Sequence, residues 1–152
     1  MLSDRSYNKK GFTLIEIILV IAIIGVLASL FVGNIFSSLA RGRDSRRKQD
    51  LRSISQALEL YYNDNNKYPD SLPAGGAVFT HPNDPDTIYL QKIPNDPSSS
   101  NSYCYETESG SGTWYKIMTN LENAQDSEVV SPLVWCGGDE FNFGIASTNI
   151  TL

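Results

Sequence analysis

Glu16 is the residue of this chain that most needs a chemical explanation. It stands at the threshold of an apolar run, and no further charge follows until Arg41. A carboxylate in an apolar phase costs on the order of 2.5 to 3.5 kcal/mol when central, less near an interface, and is normally paired. Three and four residues on, where a helix would offer a basic partner, stand Leu19 and Val20. Glu16 is therefore either solvated at the depth of lipid headgroups or matched by a charge from elsewhere.

The other reactive residue types are few. Cys104 and Cys136 are the two cysteines and allow one intramolecular disulfide, whose formation depends on compartment and is favoured beyond a membrane. Such a bridge would close a loop of about 33 residues and contribute roughly 3 to 4 kcal/mol on the chain-entropy model. Zinc finds two cysteines and one histidine at no ligand-like spacing. His81, followed by Pro82 in a polar loop, has no identifiable nucleophile, and neither a glycine-rich phosphate loop nor a metal motif is present. The expectation is a protein that is not an enzyme.

The elements that position these residues follow from composition. With 152 residues, 41% apolar and 19% charged, the chain is bounded to one modest domain plus at most one appended segment. The average conceals a lopsided chain, because Ile17 to Gly33 holds fourteen apolar residues, two glycines and one serine. The formal charge of -5 is equally uneven: about +2 before Gly11, +4 from Arg41 to Arg52, and -10 from Ser53 onward. An acidic body of this kind repels nucleic acid.

Ile17 to Ala40 gives 24 uncharged residues. As a helix this run measures about 36 Å against a hydrocarbon core near 30 Å, enough to span a bilayer. The alternative is a cleaved secretory signal, with Lys9 and Lys10 as its basic region and Ser38-Leu39-Ala40 as a small-x-small site. The run exceeds the usual length of such a signal, about 7 to 15 apolar residues, which favours the spanning helix.

The sequence Lys10-Gly11-Phe12-Thr13-Leu14-Ile15-Glu16, followed by Ile17-Ile18-Leu19-Val20-Ile21-Ala22-Ile23-Ile24-Gly25, resembles the class III signal of type IV pilins and type II secretion pseudopilins. The resemblance implies that a prepilin peptidase cuts between Gly11 and Phe12 and methylates the new amine. Glu16 would then be the fifth residue of the mature chain, where that family carries a glutamate. Cleavage creates an ammonium at Phe12, and the Glu16 of a neighbouring subunit can neutralise it in a low-dielectric filament core. Glycine before the cut lets the scissile backbone lie extended in a protease cleft.

Topology requires a choice. Three bases precede the apolar run and six follow it, so the positive-inside rule alone places the C-terminus in the cytoplasm. The resemblance places the leader there instead, and that assignment is adopted. Beyond the run, Leu51, Ile54, Leu58 and Tyr61 recur at helical spacing with Ala57 on the same face. No proline precedes Pro69, which predicts one helix from about Thr13 to Asn63, roughly 75 Å long, with Gly25 and Gly33 as weak points. The basic stretch Arg41 to Arg52 reads first as a solvated face beside anionic lipid, then as a surface for acidic neighbouring subunits, and last as a DNA contact.

Tyr61-Tyr62 through Tyr68-Pro69, and Tyr89-Leu90 with Ile93-Pro94-Asn95-Asp96-Pro97, resemble the helix end and loop of G-type major pseudopilins and related small pilins. Strand-like runs follow at Ser102 to Thr107, Thr113 to Thr119 and Val129 to Cys136, with Glu108 to Gly112 as a hairpin loop. Tyr103, Tyr105, Trp114, Tyr115 and Trp135 are expected to supply core or inter-subunit contacts. Asp84, Asp86, Asp96, Asp139 and Glu140 are hard-oxygen residues of the kind calcium takes, as in some pseudopilins, but their spacing matches no EF-hand and solvated turn residues are the better-supported reading.

The expected fold is α+β and pilin-like: a long N-terminal helix, its first half membrane-spanning, packed on a small antiparallel sheet. The expected division is a leader over 1–11, a membrane and filament-core helix over 12–40, its amphipathic continuation over 41–63, and a head over 64–152. The expected function is a structural subunit of a type IV pilus-like filament, with prepilin peptidase, an inner-membrane assembly platform, lipid and its own copies as partners. It would be a single-pass inner-membrane protein before assembly and a cell-surface filament afterwards. The alternatives are a major pseudopilin of type II secretion and an anchored binding domain that never polymerises. The Pro94 to Pro97 loop leans toward the pseudopilin, whereas Cys104 and Cys136 lean toward the pilin, which is preferred.

Overall fold

The computed structural model describes residues 11–99 and 101–152, leaving aside the side chains of 30–34. Most of the expected leader thus lies outside the described residues. One helix, α1, runs Leu14–Asn65, passing Gly25 and Gly33 without a break. It ends two residues later than the Asn-rich stretch suggested, because Asn66 takes the left-handed conformation at φ 55° and donates its N–H to Tyr62 O at 2.7 Å. Asparagine tolerates that cap conformation better than most residues.

The chain divides into two compact units, Met1–Ser38 and Leu39–Leu152. In the first unit the apolar side chains lie open, from 45% exposed at Val20 to 83% at Phe12. Among the described residues no helix is long and apolar enough to cross a membrane. The uncharged run 17–40 contains the undescribed side chains of 30–34.

In the second unit, Leu51, Ile54, Ala57, Leu58 and Tyr61 of α1 are buried, as their spacing predicts. They form one core with Phe79, Tyr115, Ile117 and Phe143 of the strands and with Tyr68, Ile93 and Leu121 from the connections. The strands are β1 (Phe79–His81), β2 (Asp84–Leu90), β3 (Cys104–Thr107), β4 (Tyr115–Thr119), β5 (Val134–Cys136), β6 (Asp139–Phe141) and β7 (Phe143–Ala146). They build three small antiparallel sheets, β1-β2, β3-β4-β7 and β5-β6, rather than one. In the largest, Cys104 faces Met118, and Ile117 faces Tyr105 on one side and Ile145 on the other. Buried tyrosines find partners for their polar tips: Tyr115 with Ser55 at 2.8 Å, Tyr105 with Pro69 O at 2.7 Å. The β3–β4 loop docks through Gly112, at φ 56°, whose carbonyl accepts the Tyr68 N–H at 2.8 Å. A Cβ there would lie 2.5 Å from Tyr68 O, so only glycine fits.

Cys104 and Cys136 form a disulfide that ties β3 to β5, and Met118, Phe141 and Val134 pack around it as a second, smaller cluster.

The basic stretch behaves differently from its sequence reading. Most of its cations pair with the chain's own acids, because helical periodicity turns Arg43, Arg47 and Lys48 toward Asp96, Glu122, Asp126 and Glu128, while Arg41, Arg46 and Arg52 stay exposed. Arg47 is fully buried. Its guanidinium holds Asp96 through two hydrogen bonds, Nε to Oδ2 at 2.8 Å and Nη2 to Oδ1 at 3.0 Å. Its Nη1 donates to Asp44 Oδ1 and to Glu122 Oε1, each at 2.8 Å. Asp44 in turn accepts the backbone N–H groups of Glu122 and Asn123 at 2.9 Å. Asp50 accepts the Tyr103 hydroxyl at 2.8 Å. One arginine thereby fixes α1 to two loops. Donating to the Asp96 carboxylate raises the Arg47 pKa against the opposing effect of burial. The hydrogen bond from Arg43, with help from Arg47, holds Glu122 down at about 2 from its ordinary 4.5.

Three outcomes follow for the full chain in detergent. Arg47→Ala leaves Asp96 and Asp44 buried without their cation and costs about 3 to 5 kcal/mol of unfolding free energy, measured by denaturant titration. Because the folded pKa of Glu122 is depressed, its contribution is present above pH 4.5 and is lost as pH falls toward 2; the melting temperature drops across that window, and Glu122→Gln flattens the drop. Replacing Cys104 and Cys136 by serine costs about 3 to 4 kcal/mol, and hydrogen exchange speeds up first in β5 and β6 while Ile54 and Leu58 stay protected.

Candidate processing and assembly site

Gly11, Phe12 and Thr13 precede the helix and are exposed. Around Gly11 a Cβ would meet nothing within 4 Å, and Phe12 is 83% exposed. Among the described residues, nothing covers the Gly11–Phe12 bond ahead of the helix.

Glu16 has a role that the search for a charged partner overlooked. Thr13 caps the helix: its Oγ1 accepts the Glu16 N–H at 3.3 Å, while Glu16 Oε2 accepts the Thr13 N–H and the Thr13 hydroxyl, both at 3.4 Å. This reciprocal arrangement is a capping box, and its signature, Thr-x-x-Glu before an apolar run, is present in the sequence. The acid also sits in the first turn, where the helix dipole favours negative charge. Glu16 is thus occupied within its own chain by neutral donors, at distances longer than a strong hydrogen bond. An ammonium within reach would displace them, because charge-assisted bonds are shorter and about twice as strong.

The remaining candidates are dispersed. Asp96 is taken by Arg47, while Asp84 accepts the Asp86 N–H at 3.3 Å and the Thr87 hydroxyl at 2.7 Å, bracing its own turn. Asp139 and Glu140 lie on β6. Among the described residues, no three of the types that hold metal ions come together. His81 Nδ1 accepts the Asn83 N–H at 3.2 Å.

Comparison with known proteins gives matches to two family models. Residues 6–32 match the family model of the prokaryotic N-terminal methylation motif, and residues 34–128 match that of type II secretion system protein G. The type II secretion system core protein G of Pectobacterium carotovorum is 38% identical over 62% of this chain and 65% of its own length. That of Vibrio cholerae is 31% identical over 70% of this chain and 76% of its own. The type IV major pilin protein PilA of Myxococcus xanthus is 28% identical over 92% of this chain and 54% of its own. The chain therefore spans less than two thirds of the length of the Pectobacterium and Myxococcus relatives. No solved structure gives a significant match. With more than half of its residues inside the second family model, this chain belongs to the type II secretion system protein G family.

Proposed function

We propose that the chain is the structural subunit of a helical filament, made as a membrane-stored precursor and polymerised through its N-terminal helix after cleavage between Gly11 and Phe12 by a prepilin peptidase. The observation that carries this reading is the coincidence, within six residues, of an exposed Gly11–Phe12 bond and a Glu16 that, among the described residues, is held by weak neutral donors. Before cutting, Phe12 contributes an amide and Glu16 is served by its cap. After cutting, an ammonium appears at Phe12, and the Glu16 of the next subunit is its counter-ion. Residues 12–40 store the precursor in the inner membrane and later form the filament core, 41–63 carry the helix onto the head, and 64–152 form the filament surface. An assembly platform in that membrane extracts each subunit.

Transfer of apolar helix surface from lipid into a helix bundle gains little free energy, so packing and the Phe12–Glu16 pair set the register. Each subunit meets the next by one repeated rotation and rise, an open heterologous contact. The relatives named core protein G favour a secretion pseudopilus. A pilus is the second reading, favoured by the Cys104–Cys136 bridge and by the alignment to a major pilin along nearly the whole chain.

Mass spectrometry of the mature protein should find N-methylated Phe12 at its start; Arg41 would indicate ordinary secretion, and intact Met1 an uncut anchor. Glu16→Ala should abolish filaments seen by electron microscopy while leaving the amount of cut subunit in the membrane unchanged, and Glu16→Asp should reduce them through its shorter reach.

A further inference from the structure

The head carries an apolar surface that its own chain leaves uncovered. Val130, Pro132, Leu133, Val134, Trp135 and Leu152 line a groove of about 520 Å3. Trp135 is 61% exposed, with Leu133 at 45% and Leu152 at 38%. A tryptophan so placed forgoes most of the burial that makes the residue favourable, and contiguous exposed apolar surface marks an interaction site. It is also held in place: the neighbouring Cys136 is bonded to Cys104, and Trp135 pairs across the hairpin with Glu140.

Charge decides the occupant. Glu140, which pairs with Trp135 across the hairpin, is exposed and enters no ion pair among the described residues. Its carboxylate, on a head that is acidic overall, repels anionic lipid and nucleic acid and favours a cationic partner. The same chain supplies one. The exposed positions of α1 between 41 and 56 are Arg41, Gly42, Ser45, Arg46, Gln49, Arg52 and Gln56, a face with three arginines and no acid. Arg46 and Arg52 are 66% and 63% exposed at the side chain, and their intrachain contacts, 3.2 Å to Asp50 and 3.6 Å to Glu128, are long. Arginine is the cation best suited to this surface, because its guanidinium stacks on an indole face while its stem covers aliphatic neighbours.

We infer that the Leu133–Trp135–Leu152 surface, with Glu140 beside Trp135, docks the arginine face of α1 from a second copy of this chain. The two surfaces are made of different residues, so the contact is heterologous and repeats along a polymer. This inference rests on the filament reading and adds a contact between heads to the contact between helices. Tryptophan and arginine at such a seam carry a large share of binding energy when they meet.

The test is site-specific photocrosslinking of the full chain in cells that assemble it, with p-benzoylphenylalanine at position 135. Irradiated filaments should yield a covalent dimer whose joined peptide comes from residues 41–56 of the second copy, and Arg46→Glu should lower that yield several-fold. Filaments that form normally but give no dimer, or a product joining position 135 to lipid or to a different protein, overturn the docking surface and leave the filament reading intact. A native chain that never polymerises overturns both.

Discussion

The first turns of α1 carry apolar side chains that stay exposed among the described residues. From Leu14 to Leu27 these side chains remain substantially exposed, and a helix apolar all round is stable only inside lipid or among other helices. In the filament reading proposed above, the same segment lies in lipid first and among other helices afterwards. Lipid and helix bundle are nearly equivalent for leucine and isoleucine, so apolar burial does not decide when or in what register the exchange occurs. A polar event has to decide it. Glu16 is the acid in this stretch, and its capping box keeps it satisfied, though not strongly, until a better partner exists.

The second half of α1 has the opposite problem. It must transmit the position of the helix to a head that is acidic and folded from short strands. Arg47 solves this by sitting fully buried among Asp44, Asp96 and Glu122, two of which also hold loop backbone. A buried ion pair is weak evidence for stability against an apolar replacement, but it is strong evidence for a fixed geometry, because any displacement strands a charge. The disulfide does the same for the β5-β6 hairpin, which otherwise attaches to the larger sheet through a small cluster around Met118. A head fixed in this way presents its outer features, Trp135 and the arginines of α1, at constant positions from one subunit to the next.

Much of this is readable in the residues. The spacing of Leu51, Ile54, Leu58 and Tyr61 declares both the helix and its buried face, and all four are buried. The strands at Cys104 and Tyr115 follow from their β-branched and aromatic content. The β7 strand is less visible because Gly144 interrupts it, though Phe141, Phe143 and Ile145 alternate as a strand should. The β1-β2 hairpin is hidden by two prolines and a run of acids. The destination of the basic stretch is not readable at all: its partners Asp96 and Glu122 lie 49 and 75 residues from Arg47, and only the folded chain brings them together. For Trp135 the residue type leaves core and inter-subunit contact both open, and only the arrangement of the hairpin shows it exposed.

The claim on which the rest depends is that Glu16 changes partner on assembly. A filament map at a resolution that shows side chains measures this directly. The account predicts the Glu16 carboxylate within hydrogen-bond reach of the Phe12 amine of an adjacent subunit, at about 2.7 to 2.9 Å, and turned away from its own Thr13. Glu16 still capping Thr13, with every Phe12 amine far from any neighbour's carboxylate and open to water, would contradict it.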